Sequence, residues 1–296
     1  MKEFQYIAPK NLADALSLTA HYGSAAALLA GGTDLVVQMK RGSRAPSCII
    51  NLKKLSELNH ISYSNTEGLH IGSLVTHNTL VDHPMIIGRF VLLAEAARSV
   101  GTFQVRERGT IGGNICNGSP AADTVPSLIC LGAKLKLQSI TGGDKLVPIE
   151  DFFKGPQETQ RLPEEIMTEI QIPTLPTNTS GVYLKLGVRK ALEIAIVGVA
   201  AVITLDDTKT TCLGARIGLA SVAPTPLRCL KAEAVLLGQK VEENTIKDAA
   251  LIAQEEVTPI SDLRSTAEYR REMVFTLTAR ALSEALRRAK GLATTK

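Results

Sequence analysis

The chain has 296 residues, 45% hydrophobic and 21% charged with both signs mixed, the composition of a globular protein with room for one large domain or two ordinary ones. Its 33 Lys and Arg against 29 Asp and Glu leave a net charge of +4 with no block of five like charges, which disfavours nucleic acid as a partner. The longest apolar run, residues 194–203, is half the length of a membrane span, and charged residues stand where a signal peptide would be apolar, so no membrane partner and a cytoplasmic location are expected. The five cysteines lie at least fourteen positions apart, which excludes an iron–sulfur cluster or zinc carried by this chain and predicts reduced, mostly buried thiols.

In chain order, Asn11 caps a helix whose apolar face holds Leu12, Ala15 and Leu16 and which Gly23 stops. A short strand, Ala26 to Ala30, runs into Gly31, Gly32, Thr33 and Asp34, and Leu35 to Lys40 opens another element. Strands are predicted at Cys48–Leu52 and Leu69–Leu74, a Thr76-capped helix before Pro84, and one helix over Met85–Val100 closed by Gly101. Residues 106–126 are rich in Gly, Pro, Ser and Asn and read as a long irregular loop, the kind that carries function. Strands follow at Lys134–Gln138 and Ile166–Ile172, then an uncharged linker, Pro173–Gly181. Beyond it come strands at Tyr183–Val188, Ala195–Leu205 and Cys212–Val222, the middle one equally compatible with a buried helix, then helices over Lys231–Leu237, Glu243–Glu256 and Ser265–Ala289.

Two glycine pairs carry the chemistry: Ala30-Gly31-Gly32-Thr33-Asp34 after a strand, and Thr110-Ile111-Gly112-Gly113-Asn114 in the long loop. Glycine permits positive φ and close ligand approach, so successive N–H groups can face one anion, and two such loops can clamp a pyrophosphate. Each alone is also compatible with a plain tight turn. Neither fits GxGxxG or GxxxxGK[ST], which argues against a Rossmann dinucleotide site or a P-loop.

The segments LLAGGTDLVVQMK (28–40) and GTIGGNICNGSPAADTVP (109–126) resemble the FAD-binding medium subunit of the xanthine dehydrogenase and carbon monoxide dehydrogenase family of molybdenum hydroxylases. The resemblance continues through VGTFQVR (100–106), YLKLGVRKALEIAIVGVAA (183–201) and APTPLRC (223–229), and is closest to the bacterial xanthine dehydrogenase FAD subunit. It implies an α+β fold with an FAD-binding domain of p-cresol methylhydroxylase type over 1–177, split into 1–56 and 57–177. A smaller α+β C-terminal domain would cover 178–296.

By resemblance, Leu29, Ala30, Gly31, Gly32, Thr33, Asp34 and Leu35 with Thr110, Ile111, Gly112, Gly113 and Asn114 hold the FAD pyrophosphate. Asp123 is expected to bind the cofactor or, failing that, to cap the helix from Thr124. Lys185 is expected near the flavin, where a cation favours the reduced anionic ring, or else as a solvated strand lysine. Met167 is expected to touch the ring or to be plain core, and Val100 stands where vertebrate relatives place an aromatic. No residue is assigned a catalytic role, since the flavin carries the chemistry. The resemblance implies non-covalent FAD here, molybdopterin and 2Fe-2S clusters in a large and a small partner subunit, and NAD as acceptor, in a purine or xanthine dehydrogenase. Flavin subunits of carbon monoxide, aldehyde or N-heterocycle dehydrogenases, and a stand-alone UDP-N-acetylenolpyruvoylglucosamine reductase, are the alternatives. His77 reads as a surface or packing histidine, and Cys116 as packing beneath its loop.

Overall fold

The computed structural model describes residues 1–189 and 191–292. Near the N-terminus a parallel three-stranded sheet sets Cys48–Asn51 between Gln5–Ile7 and Ala26–Leu29. The Leu12–Tyr22 helix connects two of these strands: Asn11 Oδ1 accepts from the Asp14 amide at 2.8 Å, and Gly23 ends it at φ 50°. This sheet delivers residues 30–34 directly from the end of a buried strand.

A second, antiparallel sheet orders its strands Ile61–Ser64, Gly68–Gly72, Ile166–Ile172, Lys134–Ser139 and Gly143–Pro148. Its apolar face packs with Phe90, Leu93, Leu128 and Phe152 in the largest core. The third sheet is antiparallel, with Thr179–Leu186, Val197–Leu205, Cys212–Ala220 and Leu227–Arg228 in spatial order.

The central strand of that sheet resolves the ambiguous apolar run. Ala200 and Val202 join the core shared with the preceding domain, while Val199, Ala201 and Ile203 face the helices Glu243–Glu255 and Ala267–Ala289. Alternate residues are thus buried on opposite faces, which turns the usual in-out pattern into a continuous hydrophobic stretch.

Two helix expectations need correction. Met85–Val100 is two helices, Pro84–Arg89 and Val91–Arg98, parted at Phe90 (φ −127°, ψ 41°), whose ring is fully buried. The break turns that ring into the core, and the preceding Gly88 weakens the helix there. Residues 106–126 are not irregular throughout. Phe103–Arg108 and Ile111–Cys116 are short helices and another begins at Thr124. Gly112 sits in the second of these because a Cβ there would come within 2.6 Å of the Ser73 Cβ; packing, not propensity, decides this segment. Among the described residues, no helix is long and apolar enough to cross a membrane.

Candidate functional site

The two glycine segments meet. A Cβ at Gly31 would collide with the carbonyl oxygen of Arg108 and lie 3.0 Å from the Gly109 Cα. Gly109 in turn lies against His77 and Thr33: a Cβ there would be 3.2 Å from the imidazole Cδ2 and 3.6 Å from the Thr33 hydroxyl. The His77 amide donates to the Gly109 carbonyl at 3.1 Å, and the Ile111 amide to the Val75 carbonyl at 3.0 Å, tying the second segment to the chain after Leu74.

Around this clasp lies a cavity of about 320 Å³, the size of a small-molecule site. Of the residues expected there from sequence, Ala30, Gly31, Gly32, Thr33, Asp34, Leu35, Val100, Thr110, Gly112, Gly113, Asn114 and Met167 line it. Leu29 and Ile111 do not: both side chains turn into the core. Asp123 and Lys185 are also off this lining and are paired with each other.

The two segments differ in hydrogen bonding. Gly32 has φ 80°, and among the described residues no protein acceptor is recorded for the amides of Gly31, Gly32, Thr33 and Asp34. In the second segment Ile111, Gly112 and Asn114 donate to Val75, Ser73 and Thr110 carbonyls. The Gly113 amide is taken by the Thr110 hydroxyl at 3.1 Å, an ordinary N-cap. Thus the second segment is a capped helix end with no positive φ, not a second open loop. Among the described residues the first segment leaves four successive amides, Gly31 to Asp34, without a protein acceptor, and the second leaves only that of Thr110.

Asp123 stands at the head of the Thr124–Cys130 helix without capping it. Its carboxylate accepts from the Tyr183 hydroxyl at 2.8 Å and from Lys185 Nζ at 2.8 Å. Burial raises the Asp123 pKa, opposed by Lys185 and by both hydrogen bonds. Burial, then Asp123 itself, pushes the Tyr183 phenol far up, so it stays protonated and donating. Lys185 Nζ also donates to the Ser99 carbonyl at 3.1 Å, next to Val100 on the cavity wall, so the lysine is neither solvated nor a free charge. Gly198 makes room for this arrangement: a Cβ there would sit 2.8 Å from the Tyr183 hydroxyl. The network continues outward, the Tyr183 amide to Glu95 and Glu95 to Arg288 on the last helix, each at 2.9 Å or less.

Several lining residues carried no sequence signal. His77 is 2% exposed, its Nδ1 is buried without a partner, and burial with the nearby Arg106 charge lowers its pKa to about 4, so it is neutral. It is a buried cavity histidine and not a surface one. Cys116 is half-buried on the lining, its sulfur 4.0 Å from that of Met167, rather than hidden beneath the loop. Arg44 and Arg161 also line the cavity. All five cysteines are free thiols.

These features suit a flavin dinucleotide: open amides and hydroxyls for phosphates, the apolar Val100, Leu74, Ile166 and Met167 for a ring, and an orphaned buried imidazole nitrogen. Known proteins agree. The family model described as the FAD binding domain in molybdopterin dehydrogenase matches residues 2–175, and the CO dehydrogenase flavoprotein C-terminal domain matches 182–285. The chain is 34% identical to the carbon monoxide dehydrogenase medium chain of Afipia carboxidovorans, over 97% of this chain and 98% of that one. It is 33% identical to a putative xanthine dehydrogenase FAD-binding subunit of Escherichia coli K12, over 95% of each. A solved carbon monoxide dehydrogenase of Hydrogenophaga pseudoflava that lacks the Mo-pyranopterin moiety superposes with a TM-score of 0.91, at 36% identity over 96% of this chain and 97% of that one. Such whole-length matches do not favour a stand-alone enolpyruvyl reductase. The open loop, the clasp and these relatives together place the chain in the family of FAD-binding medium subunits of the molybdenum hydroxylases, as an oxidoreductase subunit.

Proposed function

We propose that this chain is the flavin stage of a purine-oxidising, xanthine dehydrogenase-type complex, taking electrons from 2Fe-2S clusters in a small partner subunit and passing them to NAD. The xanthine dehydrogenase relative supports the substrate class. In this reading residues 1–177, as 1–56 and 57–177, hold the cofactor, and 178–296 form the C-terminal unit that braces it. The observation that carries it is the clasped cavity with its unclaimed amides at Gly31–Asp34.

The chemistry a flavin bound there would supply is single-electron exchange with iron–sulfur clusters and hydride exchange with a nicotinamide. The Gly31–Asp34 amides and the Thr33 hydroxyl would donate to phosphate oxygens, with no Cβ at 31 or 32 in the way. Val100, Leu74, Ile166 and Met167 keep water from the ring. Asp123 and Lys185 fix the wall behind Val100 through the Ser99 carbonyl, and their mutual pairing spares the cavity either lone charge. Neither glycine segment contains a cysteine or histidine, and in this reading the cofactor is held without a covalent bond.

The test is the purified native complex given a panel of purines, aldehydes, N-heterocycles and carbon monoxide. Purine-dependent flavin reduction and bleaching by NADH are expected, with all colour in the supernatant after acid precipitation. Reduction by carbon monoxide or an aldehyde alone overturns the substrate assignment. A flavin that NADH leaves oxidised removes NAD as the acceptor, and colour in the washed pellet removes the non-covalent assignment.

A further inference from the structure

The ionisable groups on the cavity lining are Asp34, Arg44, His77, Cys116 and Arg161. His77 is neutral, and burial raises the Cys116 thiol pKa. That leaves two permanent guanidinium charges against the single carboxylate of Asp34, whose own pKa burial raises. Among the described residues neither arginine has a carboxylate partner. Arg161 uses one nitrogen on the backbone carbonyls of Leu162, Pro163 and Glu165, at 2.9, 3.5 and 2.6 Å, and its other two nitrogens have no protein acceptor among the described residues. Arg44, exposed at the rim, makes no hydrogen bond among the described residues. Loss of hydration lowers its pKa, and the charge of Arg161 acts in the same direction. Like charges brought together beside an apolar cavity destabilise each other unless an anion joins them.

We propose that Arg44 and Arg161 are a cationic subsite for the dinucleotide's pyrophosphate, which makes the cavity select a phosphorylated flavin over an uncharged one. The inference rests on the flavin reading above and deepens it. The open amides at Gly31–Asp34 give geometry to phosphate recognition; the two guanidiniums supply the countercharge that neutral N–H groups cannot. Riboflavin, with the ring and ribityl chain but no phosphate, gains nothing from them.

The test titrates the full-length apo chain with FAD and with riboflavin, following quenching of flavin fluorescence. Arg161→Gln is expected to weaken FAD roughly tenfold, the scale of a charge-assisted hydrogen bond, and Arg44→Gln, screened at the rim, about threefold. Riboflavin affinity changes less than about twofold, and Arg161→Lys restores most FAD binding. As a second readout, the weakening of FAD by added salt is shallower in both Gln variants than in wild type. Arg44 makes no hydrogen bond or ion pair among the described residues and is exposed at the rim, so its variant reports chiefly the charge. Equal losses for FAD and riboflavin, or an unchanged FAD affinity and salt dependence in both variants, overturn the subsite while leaving the flavin reading intact. A wild-type chain that takes up no FAD overturns the flavin reading itself.

Discussion

The Gly31–Asp34 and Thr110–Asn114 segments share a Gly-Gly pair and face one cavity, yet they are built on opposite plans. The first leaves its amides unclaimed and holds Gly32 at positive φ; the second spends every amide from Ile111 to Asn114 on the protein and keeps ordinary backbone angles. In the first, glycine serves the ligand. In the second, it serves packing, since Gly112 must pass Ser73 and Gly113 must clear the Thr110 hydroxyl. One dipeptide therefore meets two different demands, and only the hydrogen-bond ledger separates them.

The largest effect should come from the point where the segments touch. Gly31→Val forces a side chain into the Arg108 carbonyl, which is backbone and cannot swing away. A loss of roughly 3 kcal/mol or more is expected, with FAD binding abolished; a near-native melting temperature and full flavin content would falsify the clasp.

His77, wedged between the segments, should give the next effect, and it depends on pH. Its folded pKa of about 4 lies below the ordinary 6.5, so the unfolded chain binds the extra proton in that window. Stability of the apo chain is therefore complete above pH 6.5 and falls as the pH drops toward 4, by up to about 1.4 kcal/mol per pH unit. Denaturant melts of His77→Gln across that range should show a shallower slope; the same slope as wild type removes His77 as the cause.

Gly32→Ala and Gly113→Ala test the comparison itself. At Gly32 the positive φ costs about 1–2 kcal/mol, and the strain falls on the open amides, so FAD binding should weaken at least tenfold. At Gly113 a Cβ stands 2.9 Å from the Thr110 hydroxyl, so the lost cap, about 1 kcal/mol, is offset by the better helix propensity of Ala. The net change should be under about 1 kcal/mol, with FAD affinity within a few-fold of wild type. Matched losses of FAD in both variants would mean that the segments are equivalent after all.

Much of this site is legible in the chain. The strand running into Gly31-Gly32 and the Thr110 segment reach the cavity as contiguous motifs whose local chemistry is readable, whereas Val100 and Met167, which also line it, are signalled only by the family resemblance. Leu29 and Ile111 turn inward because strand alternation and helix phase, not motif membership, set their direction. His77, Arg44 and Arg161 could not be found that way. Each is an isolated polar residue in an unremarkable stretch, brought to the cavity only by tertiary packing. The helix at Ile111–Cys116 was hidden for a related reason: two glycines argue against a helix locally, and the Ser73 contact that demands one of them is 39 residues away in sequence.

The cavity draws its walls from 28–52, 73–77, 100–117 and 161–167, so no short fragment of the chain contains it. In kinetic terms these are high-contact-order pairings, which close late because loop entropy must be overcome before any contact rewards it. Flavin uptake then follows docking of the two segments and cannot template it. FAD added during refolding should leave the folding rate unchanged and slow unfolding instead, acting as a latch on a chain already assembled.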